Sequence, residues 1–187
     1  MSTTSYLSFD VGIRNLAFCL FTYDETTHAV SLDQWNVVEL CAKNEGKKMS
    51  LCELCRRLIE ALDDGSFTSD VHVIIENQPV LKNPKMKSVQ TMLFTYFVML
   101  GCKHITLFSA RNKLKAYDGP PVEVTVKSSY LQRKKLSIAY CAHYVKDVEK
   151  YASHFNASRK KDDLADCFMQ GLSFLTKTRK TSVPKII

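Results

Sequence analysis

Glycine is scarce in this chain of 187 residues: six occur, and no two are adjacent. That scarcity argues against the repeated glycine-rich loops with which nucleotide-binding folds cradle phosphates. Long apolar runs are missing too. None reaches the roughly 18 residues that a membrane span requires, so no membrane partner is expected. The residues before the first apolar run are too few and too polar for a secretory leader to be expected there. Acidic residues are outnumbered, 19 Asp and Glu against 26 Lys and Arg, for a net charge of +7. With a pI near 9.0 and the basic residues in clusters, this balance predicts a polyanionic partner. Cysteine is plentiful, but a framework for it is absent. The seven cysteines are odd in number and scattered, which predicts reduced thiols in a cytosolic, nuclear or organellar compartment. Cys52 and Cys55 have Cys-x-x-Cys spacing within a helical pattern, yet no second cysteine pair or suitably spaced histidine pair follows. Two helix thiols, rather than zinc or redox chemistry, are the expectation there.

What is present is organised around residues 6–23. Two β-rich runs, Tyr6–Phe9 and Leu16–Tyr23, flank a polar turn with Gly12 and Asn15, which predicts a hairpin. The first run is almost wholly apolar, as a strand buried on both faces should be. Asp10 ends it. A carboxylate in that position is costly unless compensated, so Asp10 is either a cap for the turn or a metal ligand. A second apolar run, Val71–Ile75, also ends in an acid, Glu76. Near the C-terminus, Lys160-Lys161-Asp162-Asp163-Leu164-Ala165-Asp166 opens a helical pattern. Two strand ends and one helix that each present acid form an arrangement able to hold divalent metal at a phosphodiester.

The remaining elements follow from periodicity. Val30–Leu40 is a predicted third strand. Lys43–Lys48 is a polar loop, and Ser50–Leu62 a helix with Ser50 and Glu53 as a capping box. A loop over Gln78–Lys87 precedes a helix over Ser88–Leu100 that is apolar nearly all round. His104–Ser109 is a fifth strand, followed by a long basic loop over 110–128. Helices are predicted over Ser129–Val145 and Asp162–Thr176, and a basic, frayed tail over about 178–187. The order is β-β-β-α-β-α-β-α-α. It predicts a single α/β domain over 1–187 with a mixed five-stranded sheet, three antiparallel strands then two parallel, and helices on both faces. The first and fourth strands would then be neighbours, bringing Asp10 towards Glu76.

The segments DVGIRNLAFC, IIENQP and KKDDLADCF, in that order, resemble the RuvC-like Holliday-junction resolvases of the RNase H-like (retroviral-integrase) superfamily. Within it they are most like the poxvirus and large-DNA-virus resolvases, then the fungal mitochondrial ones. The resemblance covers residues 6 to about 175 and implies an RNase H-like fold and a metal-dependent endonuclease that cuts four-way DNA junctions by paired nicks. It implies Asp10, Glu76, Asp163 and Asp166 as ligands for Mg²⁺, with Mn²⁺ as a substitute and two ions per site. Asp163 and Asp166 match the Asp-x-x-Asp of bacterial members. Asp162, spaced i,i+4 from Asp166, would share its face too, and its expected role is helix cap or support. The family uses a lysine near the scissile phosphate; Lys134 or Lys135 is expected first here, then Lys113. Gln78 is a candidate for contact with the nucleic-acid backbone, and Tyr6, Tyr117 and Tyr130 for stacking on opened bases.

The resemblance also implies a homodimer through helix 88–100, whose second apolar side needs a cover; the alternative cover is the chain's own last two helices. A viral origin would place the protein at a cytoplasmic replication site, and otherwise in nucleus or mitochondrion. Rival readings are a YqgF-like RNA-processing nuclease of the same fold and a non-catalytic nucleic-acid-binding module. An actin-like or sugar-kinase fold also uses Asp-x-Gly, but needs the glycine-rich loops that are lacking.

Overall fold

The computed structural model describes residues 3–46, 48–81 and 83–187; residues 1–2, and Lys47 and Lys82 within the loops predicted over 43–48 and 78–87, lie outside them. Strands β1 (Thr3–Asp10), β2 (Asn15–Asp24) and β3 (Ala29–Glu39) form an antiparallel meander. The β1–β2 turn is tight because a Cβ at Gly12 would collide with the Asn15 carbonyl oxygen. Helix α1 (Leu51–Asp64) starts where Ser50 Oγ accepts from the Glu53 amide at 3.1 Å, the first half of the expected capping box. Strand β4 (Val71–Glu76) then lies parallel to β1, and β5 (His104–Phe108) parallel to β4.

Helix α2 (Pro84–Met99) between them begins one turn earlier than predicted. Pro84 occupies the first turn, where no backbone donor is needed, and Asn83 caps the Met86 amide at 3.2 Å. After β5 come α3 (Ser129–Val145), α4 (Glu149–Ala157) and α5 (Lys161–Arg179). The nine-residue α4 is too short for periodicity to announce; it is anchored by Tyr151 and Phe155, one turn apart and both buried.

The sheet has six strands in the order β5-β4-β1-β2-β3-β6, not five. The sixth, β6 (Lys185–Ile186), lies in the tail expected to fray. It pairs parallel to the start of β3, with Ile186 buried beside Val30. Arg179, just before it, binds Glu25 at 2.6 Å and the Tyr6 hydroxyl at 3.1 Å. Two bridging residues carry no period, so only the burial of Ile186 and this ion pair reveal the strand.

Two apolar clusters use opposite faces of the one sheet. Leu7, Phe9, Val73 and Ile75 pack under α1 and α2 with Leu54, Leu58, Leu93 and Phe97. Tyr6, Phe21, Trp35 and Ile74 pack under α3, α4 and α5 with Phe155, Phe168 and Leu172. No helix among the described residues is long and apolar enough to cross a membrane.

Helix α5 approaches the sheet closely at Gly171, where an added Cβ would lie 2.5 Å from a ring carbon of Phe21 and 3.2 Å from Ser8 Cβ. Both neighbours are fully buried, so neither can give way freely. Gly171→Val should therefore destabilise the fold by about 1–3 kcal/mol through overpacking. The check is the urea midpoint, which should fall without a change in slope.

Candidate active site

Side-chain parity along β1 and β4 decides where the strand-end acids point. Residues two apart on a strand face the same way. Tyr6 and Ile74 face α5, and Ser8 meets it at Gly171, so Asp10 and Glu76 continue on that side. Phe9 pairs with Ile75 across the parallel ladder, which makes Asp10 and Glu76 the next positions along neighbouring strands. Helix α5 crosses the same face with its N-terminal turn over these strand ends. Gln170 sets its register, donating from Nε2 to the Phe9 carbonyl at 2.9 Å and the Ser8 hydroxyl at 3.1 Å. Asp166, one turn earlier, is thereby placed beside Asp10. Beyond β5, a 3₁₀ turn (Ala110–Asn112) folds Lys113 back beneath the same point.

The acids converge on the Lys113 ammonium. Its Nζ donates to Asp10 Oδ1 at 2.5 Å and stands 3.4 Å from both Glu76 Oε1 and Asp166 Oδ2. Lys113 is 5% exposed. Each acid has a further partner. Ser137 Oγ donates to Asp166 Oδ1 at 2.6 Å, and Gln78 Nε2 to Glu76 Oε2 at 2.8 Å. Gln78 is itself held by its backbone N–H, which donates to Gln90 Oε1 of α2 at 2.8 Å. Asp163 accepts from Asn15 Nδ2 at 3.2 Å and lies 3.8 Å from Lys160. Asp162 turns away, to Lys134 at 2.5 Å.

Burial pushes the carboxyls of Asp10 and Asp166 above their ordinary range, and Lys113 offsets this only in part. Burial raises Asp163 as well, with the charges of Asp162 and Asp10 adding to it. Asp162 goes the other way: burial alone would raise it, but the hydrogen bond and charge of Lys134 outweigh that and lower it. Burial alone would lower Lys113, yet Asp10, Asp166 and Glu76 together hold it above the usual lysine value.

An opening of about 330 Å³ leads to the cluster, lined by Asp10, Glu76, Asp163, Asp166 and Lys113, with Tyr130, Arg133 and Lys134 at its side. Of the lysines expected to assist, Lys113, ranked last from the sequence, is the one in contact with the acids. Lys134 borders the opening but is engaged with Asp162, and Lys135 is exposed outside it. A charged strand-to-helix connector is normally solvated; here the fold turns Lys113 inward. Of the tyrosines, Tyr130 borders the opening at 63% exposure. Tyr6 is buried in the core, and Tyr117 is stacked on Tyr140 at 3.6 Å between centroids. Ser137 and Asn15 join the site only through the fold. Nothing in sequence marks a serine in mid-helix as a carboxylate's donor.

Divalent metal fits this donor set in kind. Asp10, Glu76, Asp163 and Asp166 offer hard carboxylate oxygens, and three of them already surround one cationic centre. Among the described residues no three acids stand in ligating geometry by themselves, and the Lys113 ammonium lies among Asp10, Glu76 and Asp166.

A meander followed by parallel strands, with acids at the ends of β1 and β4 and on the last long helix, defines an RNase H-like fold of the RuvC type. The chain superimposes on the crystal structure of the Fowlpox virus resolvase in complex with substrate Holliday junction DNA with a TM-score of 0.66. That match has 19% identity and covers 94% of this chain and 99% of that one. With Thermus thermophilus RuvC, solved with a Holliday junction substrate, the TM-score is 0.59 at 13% identity, covering 98% and 99%. More particularly, the chain belongs to the Poxvirus A22 protein family, whose model matches residues 6–178. In sequence it is 28% identical over 174 residues to the Holliday junction resolvase of Fowlpox virus (strain NVSL), covering 92% of this chain and 93% of that protein. It is 33% identical over 147 residues, 69% of its length, to an uncharacterized protein of Acanthamoeba polyphaga mimivirus. The matched region spans 35% of that longer relative.

Ser137 gives a direct test of how the cluster is tuned. Its hydrogen bond lowers the Asp166 carboxyl against the effect of burial. Ser137→Ala should raise the Asp166 titration midpoint further, read by NMR of the labelled carboxyl carbon, and should cost about 1 kcal/mol of stability.

Proposed function

We propose that this chain is a metal-dependent endodeoxyribonuclease that resolves four-way DNA junctions by paired, symmetric nicks. One observation carries the reading: Asp10, Glu76 and Asp166 arrive from three separate elements at one point at the end of an RNase H-like sheet. The near full-length relationship to a viral Holliday junction resolvase supplies the substrate class. It also favours this reading over an RNA-processing nuclease of the same fold or a non-catalytic module. A viral replication site in the cytoplasm is the compartment it implies.

Asp10, Glu76, Asp163 and Asp166 would hold the divalent ions, two per site, with Mg²⁺ the expected species and Mn²⁺ a substitute. Ions bound there supply water activation and charge neutralisation at the phosphate. The chain's own groups do the rest. Asp10 would be the most central of these ligands. Gln78 keeps Glu76 oriented from the base of α2. Arg133 and Lys134 put positive charge on the rim, where backbone phosphate is drawn in, and Tyr130 offers a ring for an unstacked base. Asp162 fixes Lys134 in place and is a positioning residue.

Asp10→Asn, Glu76→Gln and Asp166→Asn should each lower junction cleavage by about 100-fold or more, because each removes several kcal/mol of charge stabilisation. Junction binding should stay close to wild type. Asp163→Asn should lower cleavage far more than Asp162→Asn. The assay is a labelled four-way junction beside a duplex and an RNA–DNA hybrid, with and without Mg²⁺. Wild-type cutting of the hybrid but not the junction would overturn the substrate assignment.

A four-way junction has two-fold symmetry, and one chain supplies one acid set, so a C₂ homodimer completes the reading. The surface assigned to it is the outer side of α2. Val89, Leu93 and Phe97 face the core, whereas Phe94, Val98 and Met99 are exposed, Met99 by 82%. Helices α3 to α5 pack on the other face of the sheet and do not roof them. Beside this side, an apolar groove of about 830 Å³ runs between α1 and α2. Sedimentation at micromolar concentration should give a dimer, and Val98→Glu with Met99→Glu a monomer that still binds DNA but no longer makes paired nicks.

A further inference from the structure

The acid cluster contains a cation of its own. Lys113 Nζ lies within 3.4 Å of carboxylate oxygens from β1, β4 and α5 at once, and its residue is 5% exposed. A lysine reserved for a substrate phosphate has no need of that position; the rim, where Lys134 stands, would serve. The neighbouring lysines are paired elsewhere, Lys134 with Asp162 and Lys160 with Asp163. Three carboxylates and one ammonium sum formally to −3 + 1 = −2, so the cluster remains attractive to a divalent ion even with the lysine in place.

We propose that the Lys113 ammonium is a resident cation occupying the point at which Asp10, Glu76 and Asp166 would bind metal, so that lysine and metal exclude one another. The inference rests on the metal-dependent reading above. Without a counter-ion, three partly buried carboxylates would repel one another and draw water or protons into the strand ends. Lys113 keeps them gathered in the metal-free protein as a positioning residue. The way out for the ammonium is the 330 Å³ opening that the side chain borders, and a lysine stem is flexible. The released ammonium would then face the region where phosphate is drawn in. Competition for one point also makes a linkage that works in both directions: whatever favours the ammonium there weakens metal binding.

The test needs no DNA and no turnover. Mn²⁺ is titrated by calorimetry into the wild-type and Lys113→Met proteins. Metal should bind Lys113→Met at least about five-fold more tightly, the lower end of an ordinary coupling between sites, while the metal-free variant melts at lower temperature than wild type. In parallel, wild-type protein is treated with an amine-reactive label and read by mass spectrometry. Lys113 should resist labelling without metal and become reactive at saturating Mn²⁺. Equal or weaker binding by Lys113→Met overturns the inference. So does unchanged protection of Lys113 at saturating Mn²⁺, a readout that stands even if the variant fails to fold. Absence of metal binding in both proteins would overturn the metal-dependent reading itself, and the inference with it.

Discussion

A carboxylate at the end of a strand buried on both faces cannot stand alone, and the compensation of Asp10 by Lys113 is the interaction on which this site depends. Desolvation of a lone ionised group costs several kcal/mol, and breaking a buried pair from one side leaves that cost uncompensated. The cluster therefore holds only because β1, β4, α5 and the connector after β5 all end at the same place. Remove any one and the others lose a partner. The charges do not cancel: three carboxylates surround one ammonium.

The scaffold that holds it is rigid where it must be. Helix α5 is tied to the sheet by polar bonds on both sides of Asp166: Trp35 Nε1 donates to the Leu164 carbonyl at 3.0 Å, and Gln170 Nε2 to the Phe9 carbonyl at 2.9 Å. Gly171 lets the helix sit against Phe21 and Ser8 at close range. These contacts fix the depth of Asp166 relative to Asp10 to a fraction of a helical turn, which a shared charge centre requires.

The two faces of the sheet divide the labour. One carries α3, α4 and α5, with the acids and the basic rim. The other carries α1 and α2, with an apolar surface that extends past what the core consumes. A short chain of hydrogen bonds runs between them, from Gln90 of α2 through Gln78 to Glu76.

Much of this was legible from residue order. Alternation and apolar runs defined the five main strands. The acids at the ends of β1 and β4 follow from where those runs stop, and the parallel pairing of those strands from the element order, in which β4 is reached through a helix. Helix caps at Ser50 followed from residue types known to satisfy free amides. What periodicity could not supply were the short elements: α4 and β6 hold in place because Phe155, Tyr151 and Ile186 find cover, a property of the surroundings. Nor could it say which of two adjacent aspartates turns to the opening, since Asp162 and Asp163 differ by about 100° on the helix and only the presence of Lys134 on α3 draws Asp162 away. Lys113 is the sharpest case. In the sequence it is one cation in a basic loop, expected to assist only after Lys134 and Lys135. A residue's own element sets the face it occupies, so sequence determines the acids' placement on their strands. The meeting of an ammonium with three carboxylates from three other elements is decided by packing across the whole chain, and only the tertiary structure contains it.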